Sequence, residues 1–424
     1  MMTREENERL CRIGAGTPMG ELFRRFWLPI ALTEKLATPG GAPRHERLLG
    51  QDFVVFRSKE GKVGVLDELC MHRGASLALG RVEECGIRCL YHGWLFGTDG
   101  EILDIMNMPP GKRPPRLKAR AYPVVEAGGM IWTYIGPAEH QPPFPQHEYL
   151  AVPDNHRVVM RVDSHYNWVQ ATEGGLDSSH VSILHTNGAR PGWLGESDDK
   201  VGAFDDTGPL LELEETEFGY HYAAFRRPAR PGEAENCRIV PFIMPSGRII
   251  PGGALQGASN STLVLEIPLD DEHTATYSVR YGSRPIDPAE RHRETGFDDP
   301  EIYSFEDNKL KMARGDYKQK RELMDTSFSG LRGIATEDAA IATSQGPILD
   351  RTTEHLIYSD LAVVRFRRRL LDAAAALEAG APALGAHADH ALIRAIDAPR
   401  PSGAHWRTLI PTHNVTGPTS GTEG

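Results

Sequence analysis

Cys70-Met-His72-Arg-Gly74-Ala-Ser-Leu-Ala-Leu-Gly-Arg81-Val-Glu-Glu-Cys85-Gly86-Ile-Arg-Cys89-Leu-Tyr-His92-Gly93-Trp94 is the stretch that decides how this chain is read. One residue separates Cys70 from His72, two separate Cys89 from His92, and sixteen lie between the pairs, so each of two loops brings one sulfur and one nitrogen donor. Around them, from about 45 to 140, short β-branched and aromatic runs such as Phe53-Val-Val-Phe56 and Met130-Ile-Trp-Thr-Tyr-Ile135 alternate with Gly and Pro. That pattern predicts a small all-β domain carrying the two loops.

Two sulfurs and two nitrogens suit either zinc or one kind of iron–sulfur cluster. A zinc finger draws its cysteines from one knuckle and its histidines from another. A Rieske [2Fe–2S] centre puts two cysteines on one iron and two histidines on the other, which loops of mixed donors serve directly. Cys70, His72, Cys89 and His92 are therefore read as cluster ligands. Gly74, Gly86 and Gly93 would let backbone N–H groups approach the cluster sulfurs, and Trp94 would shield it from water. Imidazole in place of thiolate raises the reduction potential, so such a centre accepts electrons readily. Cys11, Cys85 and Cys237 read as small buried hydrophobes.

A second constellation follows the Pro-rich boundary at Gln141-Pro-Pro-Phe-Pro. Asn167-Trp-Val-Gln-Ala-Thr-Glu173-Gly-Gly-Leu-Asp177-Ser-Ser-His180-Val-Ser-Ile-Leu-His185 packs two carboxylates and two imidazoles into thirteen residues, from Glu173 to His185. Asp177 and His180 are three apart and would share a helix face, whereas His185 lies five beyond His180, so the helix must loosen or end between the histidines for both to reach one ion. Two histidines and one carboxylate form the facial triad of non-heme Fe(II) oxygenases. The carboxylate is left open here among Glu173, Asp177 and a remote acid.

The C-x-H-x16-C-x2-H motif, followed by E-x3-D-x2-H-x4-H, resembles the large subunit of Rieske non-heme iron oxygenases over nearly the whole chain. Gly16-Thr-Pro-Met-Gly-Glu-Leu, Arg73-Gly-Ala-Ser-Leu-Ala-Leu-Gly-Arg81 and Gln345-Gly-Pro-Ile-Leu-Asp-Arg351 are similar to the phthalate and phenoxybenzoate dioxygenase branch. The resemblance implies an α+β chain: an N-terminal all-β Rieske domain, then a catalytic domain with an antiparallel, helix-grip-like sheet covered by helices. It implies a mononuclear Fe(II) held by His180, His185 and Asp338 of Thr336-Glu-Asp-Ala-Ala, with Glu337 as the adjacent alternative. Asp177 would bridge an iron-bound histidine to a Rieske histidine of the neighbouring subunit, and Asn167 and Glu173 would support the site. Bounds follow: 1–44 as a segment packing on the catalytic domain, 45–150 for the cluster, 151–380 for the iron and 381–424 as a tail.

The implied activity is dihydroxylation of a small aromatic, carboxylated substrate by O2, with monooxygenation or O- or N-dealkylation as the alternative and pure electron transfer as a remote one. The chain carries no nucleotide fingerprint, so electrons must come from NAD(P)H through a separate flavin and ferredoxin-type reductase. An electron path between subunits implies a homo-oligomeric ring, a trimer or hexamer. Arg226 and Arg238 interrupt apolar strand-like runs and are candidates to clamp a substrate carboxylate. Elsewhere, a helix Gly20–Trp27 is expected, helices from about 300 onward, one after Ser359 with Leu361, Val364, Leu371, Ala374 and Leu377 as its apolar stripe, and a loose final 45 residues.

Composition removes other classes. The 424 residues allow two or three domains. Net charge is −11 with no concentrated basic window, which argues against nucleic acid. No stretch approaches the roughly 20 apolar residues of a membrane span. Five cysteines are too few and too odd in number for a disulfide framework, which points to the cytoplasm.

Overall fold

A computed structural model describes residues 2–112, 116–186, 206–228, 232, 234–252 and 260–411. Its N-terminal part holds α1 (Arg4–Cys11), α2 (Pro18–Phe23) and β1 (Leu28–Leu32). The expected helix at Gly20–Trp27 starts earlier, because Thr17 caps the Gly20 amide and Pro18 takes the first turn, where its missing N–H costs nothing. The helix α1 was not foreseen; a capping box between Thr3 and Glu6 starts it.

The β domain comprises β2 (Arg44–Leu48), β3 (Gln51–Arg57), β4 (Val63–Asp67), β5 (Arg81–Val82), β6 (Gly86–Arg88), β7 (Trp94–Gly97), β8 (Ile102–Ile105), β9 (Val124–Ala127) and β10 (Met130–Thr133). They form sheets β2-β3-β4 and β5-β6-β7-β8, while β10 lies between β9 and β1. A separate small core, with Val54, Phe56, Leu66, Ile87 and Phe96 around Cys70 and Cys89, packs beneath the two donor loops.

The second domain is built on one large sheet: β11 (Arg157–Ser164), β12 (Leu210–Thr216), β13 (Gly219–Arg226), β14 (Asn236–Ile243), β15 (Gly247–Ile250), β16 (Ser261–Pro268), β17 (Thr274–Tyr281), β18 (Tyr303–Ser304), β19 (Lys309–Leu310) and β20 (Ile396–Pro399). Strands run in the order β12-β13-β14-β15-β16-β17-β11-β19-β18, antiparallel except β11 with β19, and β20 pairs with β14. The helices are α3 (Trp168–Leu176), α4 (Pro288–Thr295), α5 (Ile334–Ser344) and α6 (Leu361–Glu378).

Three expectations change here. Between 300 and 333 the chain is mostly irregular, with positive-φ turns at Gly315, Gly330 and Gly333. In α6 the expected Leu371 and Ala374 are buried and Leu377 packs on the core, while Leu361 and Val364 are exposed: in the first half of the helix Ala362, Val363, Phe366 and Leu370 face inward instead, with the Phe366 ring seated against Trp168 and Phe242. The chain after 381 is not loose throughout, since β20 is paired and Trp406 is buried against Phe225, Cys237 and Ile239. Among the described residues no helix is long and apolar enough to cross a membrane.

Candidate functional site

The two donor loops are built alike. Cys70 N–H donates to Ala75 O and Gly74 N–H to Cys70 O, both at 2.8 Å; Cys89 N–H donates to Trp94 O at 2.9 Å and Gly93 N–H to Cys89 O at 3.0 Å. Each loop closes through a glycine at positive φ, +68° for Gly74 and +70° for Gly93, where a side chain would be strained. The turns leave both cysteines buried and both histidines half-buried, with the His72 and His92 rings 4.5 Å apart. Trp94 stacks on His72 at 4.7 Å and 6°. Burial, with Cys89 alongside, pushes the Cys70 thiol up to about 11, so a bound metal must displace its proton. Two inner sulfurs and two outer nitrogens fit a Rieske cluster. Of the other cysteines, Cys11 and Cys237 are buried in hydrophobic cores as expected, Cys11 with its thiol 3.3 Å from Arg351 Nη1, whereas Cys85 is exposed.

The second cluster forms where α3 ends. Asn167 caps α3 through Val169 N–H and ties it to the Cys11 and Asp271 carbonyls, which fixes the helix start far from the histidines. The helix stops at Leu176, so Asp177 and His180 share a turn rather than a helix face. Asp177 Oδ1 accepts from the Ser179 amide at 2.7 Å and from the His180 amide at 3.4 Å. The Asp177 carbonyl, not its carboxylate, takes His180 Nδ1 at 2.6 Å, and Oδ2 stays 3.7 Å away. With its proton on Nδ1, His180 presents Nε2 as a ligand.

His185 is turned the same way by α5. Glu337 Oε2 lies 2.7 Å from His185 Nδ1, and Ser329 Oγ donates to Glu337 Oε1. Adjacent helical residues point about 100° apart, so Glu337 and Asp338 cannot serve one atom. Asp338 Oδ1 sits 3.1 Å from His185 Nε2 and 3.5 Å from His180 Nε2, and the two Nε2 atoms are 3.2 Å apart. A cation with ordinary bonds of about 2.1 Å to each donor spans such a triangle. Burial opposes charge on His185, but Asp338, then Glu337, raise it to about 10; His185 and His180 hold the Asp338 carboxyl well below its usual range.

Glu173 does not join this triangle. It is buried between Arg351, 2.9 Å from Nε, and Arg367, 2.6 Å from Nε, and Arg351 continues to Asn7 on α1. Burial alone would raise its carboxyl; the two guanidinium groups outweigh that and lower it. Glu173 thus pins α3 to α1 and α6.

Beside the triad a cavity of about 440 Å³ opens between the sheet and α3 and α5. Arg226 and Arg238 do not line it. Arg226 Nη2 donates to Ser178 O at 2.6 Å, bracing the turn after Asp177, and Arg238 pairs with Asp397 on β20 at 3.1 Å. Both lie on β13 and β14, whereas the cavity covers the β15-β16-β17-β11 half of the sheet. The arginine that sequence reading missed is Arg248 on β15. It lines the cavity, is 6% exposed, bonds Glu266 through Nη2 at 2.9 Å, and among the described residues has no hydrogen-bond partner for Nε or Nη1. Its head lies against Gly175: a Cβ there would sit 2.0 Å from Cζ, which explains glycine in the interior of α3.

A cluster-type donor set in a β domain and a two-histidine, one-carboxylate group that could hold a metal ion beside a cavity are the two centres that this fold sets up. Residues 26–123 match the Rieske [2Fe-2S] domain and residues 133–423 the LigXa C-terminal domain like family. The chain is 37% identical to the phthalate 4,5-dioxygenase oxygenase subunit of Pseudomonas putida, over 91% of this chain and 89% of that protein. It is 35% identical to the 3-chlorobenzoate-3,4-dioxygenase oxygenase subunit of Comamonas testosteroni, over 89% and 90%. The structure of the QL mutant of NdmA from Pseudomonas putida CBB5 with theobromine shares the fold, with a TM-score of 0.62 at 17% identity over 91% of this chain and 99% of that one. The chain belongs to the Rieske non-heme iron oxygenases, as an oxygenase subunit.

Proposed function

We propose that this subunit dihydroxylates an aromatic carboxylate, using O2 and electrons that a separate flavin and ferredoxin-type reductase draws from NAD(P)H. The observation that carries this reading is Arg248, a buried cation in the cavity beside the triad that pairs with Glu266 through Nη2 and whose Nε and Nη1 have no hydrogen-bond partner among the described residues. A buried donor left unmade is costly, and a carboxylate is the ligand that satisfies it with charge. The two relatives named above are dioxygenases whose printed substrates, phthalate and 3-chlorobenzoate, are aromatic acids, which supports the same class here.

His180 Nε2, His185 Nε2 and Asp338 Oδ1 would hold Fe(II), and Cys70, His72, Cys89 and His92 the [2Fe–2S] cluster. When bound, these groups supply dioxygen activation and single electrons respectively. The protein's share is positioning: Arg248 orients the acid, Gly175 leaves room for the Arg248 head, and the outer bonds to the Asp177 carbonyl and Glu337 fix both imidazoles. The half-buried Asp177 carboxylate would face a neighbouring subunit's cluster in a homo-oligomeric ring, a trimer or hexamer. Two exposed apolar patches suit such head-to-tail contact: Met71, Leu79, Leu90 and Tyr91 at the donor loops, and Ile183, Ile341, Ile357 and Tyr358 near the cavity mouth. Residues 45–150 would serve the cluster and 151–380 the iron, with 1–44 bracing the latter.

The test is calorimetric titration of the holoprotein with benzoate, then oxygen uptake with product analysis in the presence of a reductase. Arg248→Met is expected to weaken benzoate binding 30-fold or more, about 2 kcal/mol, with both metals retained. Unchanged affinity would overturn the clamp; product lacking a vicinal diol would overturn dihydroxylation.

A further inference from the structure

The second donor loop is braced at two points by the end of β8. In the ladder that joins β7 to β8, Trp94 lies opposite Ile105 and Leu95 opposite Asp104. Arg88 Nη1 donates to the Gly93 carbonyl and to Asp104 Oδ2, both at 2.7 Å, while its Nε and Nη2 hold Glu83. That pins the backbone beside His92. Two residues past Ile105, Asn107 Oδ1 accepts the Trp94 indole N–H at 3.1 Å. An indole N–H can only donate, so the asparagine supplies the acceptor it needs. Asn107 is itself exposed, and what its bond fixes is the angle of the indole.

That angle matters to His72. The indole lies flat on the imidazole, with centroids 4.7 Å apart and planes 6° from parallel, while His92 meets the same imidazole in a T-shaped contact at 4.5 Å. His92 is covered differently, by an exposed Tyr91 tilted at 36°, with Arg73 over the tyrosine ring. In a Rieske centre two ferric ions are balanced by two sulfides and two thiolates, so the oxidised site is neutral and the reduced site carries one added negative charge. The face of an indole is the negative part of its quadrupole, and a ring lying over the ligand also keeps water away from it. Both effects disfavour the added charge. We propose that Asn107, by holding Trp94 flat on His72, lowers the reduction potential of the cluster and so increases the driving force for passing its electron on. Asn107 is a positioning residue of the electron-transfer step and acts through Trp94. The inference rests on the cluster reading of the four donors, and not on the substrate, the iron site or the subunit ring.

The experiment is a redox titration of the purified holoprotein, followed by the electron paramagnetic resonance of the reduced cluster. Asn107→Leu is expected to raise the potential by at least threefold in the equilibrium constant for electron uptake, about 28 mV for one electron. Trp94→Phe keeps a ring without the N–H and should raise it too. Adding Asn107→Leu to Trp94→Phe should bring no further rise, because no bond is left to break, whereas a role of Asn107 apart from Trp94 would shift both backgrounds alike. Asn107→Asp keeps the acceptor and should show no rise. Visible absorption per chain controls for cluster loading, with Asn107→Ala as the second variant where leucine disturbs it. The proposal is overturned by a potential that stays or falls in Asn107→Leu, by equal shifts in the two backgrounds, or by loss of the cluster in both Asn107→Leu and Asn107→Ala. Absence of the cluster signal from the unsubstituted protein would instead sink the cluster reading itself, and the proposal with it.

Discussion

Glu337 and Asp338, neighbours on one helix, address opposite nitrogens of His185: Glu337 Oε2 lies 2.7 Å from Nδ1 and Asp338 Oδ1 3.1 Å from Nε2. One residue selects the tautomer that frees Nε2, and the other stands where Nε2 points. The two acids are therefore not interchangeable, and their substitutions should differ in kind.

Asp338→Asn is expected to lose the mononuclear metal outright, whereas Glu337→Gln keeps it with affinity reduced by about 10- to 100-fold. Iron content against the cluster's absorption checks this. Equal metal loss in both would contradict the division of roles.

Asp177→Asn preserves an oxygen that can cap the Ser179 and His180 amides, and the carbonyl that holds His180 is unaffected. Both metals should stay bound, while turnover falls by orders of magnitude because the charged bridge to a neighbouring subunit proposed for Asp177 would be removed. Stopped-flow reoxidation of the reduced cluster is the measurement, and an unchanged rate would refute the bridge.

Gly174 and Gly175 give a matched pair. A Cβ at Gly174 meets nothing within 4 Å, so Gly174→Ala should fold normally and gain up to about 1 kcal/mol of helix stability. Gly175→Ala collides with the Arg248 head and should weaken aromatic-acid binding at least tenfold with iron retained. Similar affinities in the two variants would show that Arg248 has room to move.

Glu173 compensates two buried guanidinium groups, so Glu173→Gln should cost about 3 to 5 kcal/mol and lower the thermal midpoint by about 10 °C. Adding Arg351→Met should recover part of that loss, since one uncompensated cation is removed. A double variant no better than the single would mean the pair is not coupled.

Burial holds the His221 imidazole down to about 4. As pH falls from about 6.5 toward 4, the unfolded chain takes up a proton that the folded one refuses, so this residue's contribution is full above 6.5 and is lost on acidification, by up to about 3 kcal/mol. His221→Phe should flatten the fall in melting temperature between pH 7 and 4.5. A parallel curve for the variant would be evidence against the depressed value.

The cluster site was legible because its chemistry is local. Cys70, His72, Cys89 and His92 lie on two tight loops, and spacing within a loop fixes which atoms can meet. His180 and His185 were legible for the same reason, although the helix expected to carry them ends at Leu176. Asp338 is more than 150 residues away and was reached through family resemblance, since no local periodicity ties α5 to α3. The arginines show what the tertiary structure alone decided. Arg226, Arg238, Arg248 and Arg280 all sit in strands of one sheet, and alternation tells which residues of a strand share a face. It does not tell which half of the sheet the helices leave uncovered. That choice was made by packing, with Phe366 seated against Trp168 and Gly175 admitting Arg248, and it put the cavity over β15 to β17. Spacing within loops marked the four cluster donors and the two histidines of the triangle; which acid completes that triangle and which cations line the cavity are properties of layers meeting in space.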